Sequence, residues 1–509
     1  MKKTTFLAVL LVAAIAMVFV SCGGGDRGGV TAEGYRDTMV VVIHMEPVTM
    51  YPPEQPDPGS VIVRLIYSQL VTRSSCNEYK VVPEVAYRWE HLNDTTIRFF
   101  LVDNVYFSNG ENLTAYDVQF SLMNANANPF VQIFGSIERV EVVGPHIVDV
   151  YLTGANAAFM ANLSFTRASA ILNKRHAQAV GREGLIRNPL GSGPYVLERW
   201  TSGQEIVLAR RDCYPGVGPH APQGGTERII FRFIPEASSR SMALETGEAD
   251  IVINPDLNDL DRLASLGFVV ETNLSWMISQ VNINAAGIPD IRIREALAWA
   301  IDREALVEAV FGDMATVATS FVTPYMLGHY NNWNVYYNPD RARQLVAQSN
   351  TPGGTTLDMI VWNLPENLMV AEILQFYWRQ VGIDVNVLPG ATGPVRDQFF
   401  AGTYQIYPTN HTWGEINRAL HSYVLRPTTY NLPEPYLSRV SDLWHRGLEE
   451  MNEARRIELY REMMQVIKSQ WVTIPLAFRN IAYVTTNRVD GFFASPGQQP
   501  NLMGVRVRN

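Results

Sequence analysis

Pro289-Asp290-Ile291-Arg292-Ile293-Arg294-Glu295-Ala296-Leu297-Ala298-Trp299-Ala300-Ile301-Asp302-Arg303 carries the pattern from which the rest of the chain can be read. Ile293, Leu297 and Ala300 recur at three- and four-residue steps, which puts them on one face of a helix over Pro289 to Ala300. Asp302 then stands at a helix N-cap position, and the helix after it turns Leu306 and Val310 inward. Downstream, Asp340 to Gln348 and Asn367 to Gln380 read as helices, the second ended by Gly382. Val385-Asn386-Val387 alternates as a strand. Glu453 to Trp471 is the longest predicted helix, with Ile457, Tyr460, Met464 and Ile467 on one face. Upstream, Met39 to Ile43, Ile97 to Leu101, Glu205 to Leu208 and Ile229 to Phe233 read as strands. Thr114 caps a helix with Asp117 at its third position, and Ser238 to Glu245 is a helix stopped by Gly247. Strands and helices alternate along the whole chain, which predicts α/β lobes rather than separate α and β blocks. No period of 20–50 residues repeats, so a solenoid or propeller is excluded.

The chain has 509 residues, of which 47% are hydrophobic and 18% charged. That is an ordinary globular mix, with length for two to four domains at ~100–200 residues each. The formal charge is −9, and only five residues are lysines (Lys2, Lys3, Lys80, Lys174 and Lys468). An acidic chain without basic blocks is a poor partner for nucleic acid. The one run that approaches a membrane span is at the N-terminus, so a polytopic transporter is excluded.

That run, Phe6 to Val20, is short for a span and the right size for the apolar region of a secretory signal. Lys2 and Lys3 precede it; Ser21-Cys22 and Gly23-Gly24-Gly25 follow. The junction resembles the lipobox of bacterial lipoproteins, although Phe19 and Val20 stand where Leu and Ala or Ser are usual. The resemblance implies a signal over residues 1–21, lipid on Cys22 and a Gly-rich tether over 22–29. A plain signal cut nearby is the alternative. Export would permit a disulfide between Cys76 and Cys213, but their spacing does not decide between that and two buried thiols.

Much catalytic machinery has no counterpart in the sequence. No lysine follows a glycine, so there is no Gly-Lys-Ser/Thr phosphate loop, and no Gly-x-Ser-x-Gly elbow is present. Histidines are scattered singly, without His-Glu-x-x-His or Cys-x-x-Cys, and no metal site is expected. His411 and His421 read as unrelated loop histidines rather than ligands of one metal. An enzyme is not expected, and neither is a cofactor.

Four segments, in order, resemble the family 5 extracellular solute-binding proteins of ABC importers, the group that binds oligopeptides, dipeptides and nickel. The first comprises Pro83 to Glu90, Ile97 to Leu101, Val105 to Glu111 and Leu113 to Val118, with Val102 standing where an arginine is usual. The second is Asn188-Pro189-Leu190-Gly191-Ser192-Gly193-Pro194-Tyr195, read as a tight corner in which Gly tolerates positive φ. The third is Ala243 to Ile251. The fourth is Ile283-Asn284 with Arg292, Arg294, Ala296-Leu297 and Ala300-Ile301-Asp302-Arg303. These motifs read as scaffold, with Arg294 and Asp302 holding helix ends.

The resemblance implies a two-lobed, hinged periplasmic-binding-protein fold of type II, α/β in class, with a subdomain inserted in the first lobe. Lobe one would be residues 30–280 plus 479–509, its insert 58–165, and lobe two 281–478. The implied function is a lipid-anchored, exported receptor at a bacterial membrane. It would act as a monomer that closes on an oligopeptide and delivers it to permease subunits served by separate ATPase subunits. An oligosaccharide is the alternative ligand and a nickel chelate the third. In peptide-binding members an aspartate of lobe two, shortly after a tryptophan, pairs with the peptide ammonium. Asn410-His411-Thr412-Trp413-Gly414-Glu415 resembles that place with one residue inserted, with Glu415 for the aspartate and Trp413 or His411 for the tryptophan; the Asp-Pro that commonly follows is absent. Glu46 and Val48 at a strand end, Phe130 in the insert, Trp276 before the crossing and Trp362 at a strand end complete the expected ligand contacts.

Overall fold

The apolar run Met39 to Ile43 makes up most of strand β1 (Thr38–Ile43), which is buried almost throughout. It has a parallel neighbour on each side, and a strand covered on both faces reads as a continuous apolar run rather than an alternating one. In the computed structural model the chain is described for residues 34–509 except 55–59, 74–79, 129–130, 132–135, 213, 215, 218–224 and 498–499. The signal, Cys22 and its tether, Cys76, Cys213 and Phe130 lie outside the described residues.

The strands that follow are β2 (Ala86–Asn93), β3 (Thr96–Leu101), β4 (Ile137–Gly144), β5 (Ile147–Leu152), β6 (Tyr195–Thr201), β7 (Glu205–Arg210) and β8 (Arg228–Phe233). Then come β9 (Ile251–Ile253), β10 (Val269–Ile283), β11 (Ala315–Val317), β12 (Thr355–Trp362), β13 (Ile383–Gly390), β14 (Ile406–Thr412) and β15 (Thr473–Thr485). Six helices matter below: α1 (Ser60–Ile66), α2 (Ala115–Ala127), α3 (Ile291–Trp299), α4 (Arg303–Phe311), α5 (Pro365–Arg379) and α6 (Ile416–His421).

Eleven strands form one sheet in the order β13-β12-β14-β10-β15-β9-β1-β8-β7-β6, with β11 on the flank of β15. Strands β10 and β15 are long because each serves both lobes. Val269 to Leu274 pair with Thr485 to Asn480 on the lobe-one side; Ile278 to Asn282 pair with Phe478 to Thr473 on the lobe-two side. The register shifts between Leu274 and Ile278, and again between Ser279 and Gln280. The strand pair that joins the lobes is thus interrupted where it crosses. Strands β1, β8 and β9 are mutually parallel in lobe one, and β12, β13 and β14 in lobe two. Because β9 is antiparallel to β15 and β14 to β10, both parallel sets end, C-terminus first, at the crossing. Ligands of open α/β sheets bind outside such strand ends.

Each lobe is apolar on both faces of its sheet. In lobe two, α3, α4 and α5 supply one core and the segments after β14 supply the other. A separate core beginning at Leu70 belongs to the insert, whose antiparallel sheet runs β2-β3-β5-β4. Six of the seven residues of α1 are buried, and its apolar residues pack with β1 in the lobe-one core.

Local expectations hold where one residue decides them. Thr114 donates its backbone N–H to Asp117 Oδ2 at 2.9 Å, closing the expected box at the start of α2. Asp302 accepts from Ala305 N at 3.0 Å and caps α4. The buried Arg294 donates to the carbonyls of Ile288, Pro289 and Gln470, tying the entry of α3 to the end of the longest helix (Glu453–Ser469). The Gly191-Ser192-Gly193 corner needs glycine for a different reason than expected. Neither glycine has positive φ. A Cβ on Gly191 would stand 2.0 Å from Ile66 O, and one on Gly193 2.5 Å from Leu65 O. Backbone approaches backbone there, and Gly193 N–H donates to Ile66 O at 2.8 Å.

Candidate functional site: the crossing between the lobes

Side chains at the crossing sort by the face of the sheet they occupy. Ser279 pairs with both Asn410 and Ala477, and Ala477 belongs to the core under α3–α5. Ile278 pairs with His411 and Phe478, and packs in the opposite core. One strand end therefore presents two clusters.

On the α5 face, Arg479 donates two parallel hydrogen bonds to Glu366, at 2.9 and 2.8 Å. Asn410 donates its amide to Glu366 Oε1 at 3.2 Å and accepts from Ser279 Oγ at 2.5 Å. The Arg479 guanidinium also lies over the Phe311 ring, 4.0 Å from its centroid. Burial pushes the Glu366 carboxyl up, but the bonds from Arg479 and Asn410 outweigh it, so the group sits below its ordinary value and is ionised at neutral pH. The arginine side chain is 8% exposed and the glutamate side chain 39%.

On the other face the groups are aromatic. His411 stacks on Trp413 at 5.6 Å between ring centres, and His421 meets the same indole edge-on at 5.6 Å. The two histidines are thus neither unrelated nor on the surface. Burial lowers both to about 4, helped at His411 by the charge of His421. Trp276 packs edge-on against Phe165 of the insert; a Cβ on Gly497 would stand 2.7 Å from the Trp276 ring, and one on Gly414 2.7 Å from Phe165 and 3.0 Å from Trp276.

The insert and lobe two are joined here. Arg73 donates to Ser164 Oγ at 2.8 Å and Ala161 O at 3.0 Å on its own side, and to Gly414 O of lobe two at 2.8 Å. Its guanidinium lies 4.5 Å from the Phe165 ring centre. Ala157 N–H of the insert donates to Leu448 O of lobe two at 2.7 Å. The molecule is closed at this edge.

Of the residues expected from sequence, Trp276, Asn410, His411, Trp413 and Glu415 come together at the crossing. Trp362 stands at the end of β12 beside Tyr407, and its indole N–H is buried without a partner. Glu46 does something else. It accepts from Trp200 Nε1, Ser202 Oγ and Gly203 N, pinning the β6–β7 turn within lobe one. Val48 is 67% exposed. Glu415 is engaged locally. It is the N-cap of α6, accepts from Asn417 N at 2.7 Å, is 9% exposed and feels the charge of Arg73. A capping carboxylate faced by a fixed guanidinium is a poor anchor for a ligand ammonium. Sequence reasoning missed Arg73, Phe165, Glu366 and Arg479. Glu366 follows Pro365 in the first turn of α5, where a carboxylate reads as a helix-dipole partner, and that signal hides it.

The sequence pattern of the bacterial extracellular solute-binding proteins, family 5 middle region, matches residues 80–424. The chain belongs to that family. It is therefore a solute-binding protein and not an enzyme. A dipeptide-binding protein of Escherichia coli K12 is 24% identical over 484 residues, covering 87% of this chain and 89% of its own. Heme-binding protein A of Haemophilus influenzae is 23% identical over 439 residues, covering 81% of this chain and 78% of its own. The solved structure of the periplasmic binding protein DppA of Helicobacter pylori, in complex with the peptide STSA, superposes with a TM-score of 0.80 at 20% identity, covering 94% of this chain and 99% of that one. The fold is the expected two-lobed type II arrangement.

Proposed function

We propose that this solute-binding protein captures short peptides between its lobes and hands them to the permease of an ABC importer, whose ATPase subunits are separate chains. The observation that carries the peptide reading is the contrast between the two clusters at the crossing. The indole of Trp413 is stacked on His411, and Trp276 is packed by the insert and by Gly414 and Gly497. A sugar stacks on an open aromatic face, whereas Trp413 has one face covered by His411 and Trp276 is crowded by Phe165 and Gly497. What the crossing offers is hydrogen-bonding capacity: an ionised carboxylate at Glu366 and the unpartnered indole N–H of Trp362. That suits a ligand with an ammonium group and amide carbonyls. The proposal extends to the lobes 30–280 plus 479–509 and 281–478 as the closing bodies, hinged at the register shifts of β10 and β15. It also includes lipid on Cys22 as the anchor of a monomeric receptor on the outer side of a bacterial membrane. Native mass spectrometry of the gently isolated protein tests the ligand class. A bound mass that fragments as peptide is expected; one that fragments as hexose units, or a nickel isotope pattern, would replace this reading.

A further inference from the structure

We infer that Glu366, and not the carboxylate that follows Trp413, receives the ammonium group of the ligand; this rests on the peptide reading above. Three features separate the two carboxylates at this end of lobe two. The first is access. Glu366 is half-buried, whereas Glu415 is buried.

The second is occupancy. Glu415 is bound to the first turn of α6 through Asn417 N and stands beside Arg73 of the insert. Glu366 instead takes its donors from side chains. It is held by Arg479 and Asn410, both on strands of the crossing. Its Oε1 accepts twice and its Oε2 once, which leaves room on Oε2 for a further donor.

The third is rigidity. Arg479 is buried and fixed by two parallel bonds, and Asn410 is fixed in turn by Ser279. A carboxylate held this way is oriented before the ligand arrives and loses little freedom on binding. The Arg479 charge keeps it ionised, and of the two partners the arginine is the more buried, 8% exposed against 39% for the Glu366 side chain. Burial and these bonds together leave the group below its usual carboxylate value, in keeping with an ionised acceptor. Position agrees as well. Glu366 follows the C-terminal end of β12 by four residues, on the strand ends that both lobes turn toward the crossing.

Affinity is measured by calorimetry for a pool of short peptides with free amino termini and for the same pool N-acetylated. The wild type should prefer the free-amine pool. Glu366→Gln should reduce that preference by roughly tenfold or more, with the acetylated pool little changed. Because Glu366→Gln weakens the hold on buried Arg479, Glu366→Asp is measured beside it. It keeps the charge and the ion pair but withdraws the acceptor, and should lose part of the preference while staying folded. Full preference in both variants would overturn the assignment, as would its loss in Glu415→Gln alone. A wild type that binds both pools equally would overturn it while leaving the peptide reading intact. A wild type that binds neither would overturn the peptide reading itself.

Discussion

His411 and His421 show how a single aromatic contact redefines a pair of residues. Each packs on Trp413, and burial holds each to about 4 against an ordinary value of 6.5. The unfolded chain therefore binds more protons at these positions between about pH 6.5 and about pH 4. Their contribution to stability is lost as the pH falls through that window. Glu84, pushed up to about 7 by burial, acts in the opposite sense, and so does the raised carboxyl of Glu415. The informative quantity is thus a difference between proteins. A His411→Gln/His421→Gln variant should lose less stability than the wild type between about pH 7 and about pH 4.5, by urea unfolding. Parallel losses would show that these imidazoles are not held neutral.

Among elements, the helix from Ile291 to Trp299 and the one from Arg303 to Phe311 follow the sequence closely, because their caps and faces are set within a few residues. Asp302→Ala should cost about 1 kcal/mol, read as a shift in denaturation midpoint at unchanged slope. A neutral result would mean that the cap at Ala305 is replaced by solvent. β1 was legible for a related reason: burial on both faces writes a continuous apolar run into five residues. The Gly191–Gly193 corner was legible as a corner but not in its cause, because the carbonyls that exclude a Cβ come from residues 65 and 66. The candidate site was the least legible. The Arg479–Glu366 pair spans 113 positions and the Arg73–Gly414 bond 341. No local pattern encodes such meetings. The expected anchor Glu415 was found by its neighbours in sequence, and the same neighbours make it a helix cap.

The whole molecule is two lobes on a pair of interrupted strands, with the insert fastened to lobe two by Arg73 and by Ala157. A bond that exists only in the closed form stabilises that form alone. Charged hydrogen bonds contribute ~1.5–3 kcal/mol, so Arg73→Ala should shift the closed–open balance by roughly ten- to a hundredfold toward open. Small-angle scattering of the ligand-free variant should then give a larger radius of gyration than the wild type. An unchanged radius would assign Arg73 to the insert alone, through Ser164 and Ala161. The central claim is that the lobes close on a peptide. Its most direct test is a calorimetric titration of the exported-form protein with free-amine peptides and, separately, with oligosaccharides. Saturable heat is expected with the peptides and none with the sugars; saturable heat with an oligosaccharide and silence with every peptide would contradict closure on a peptide.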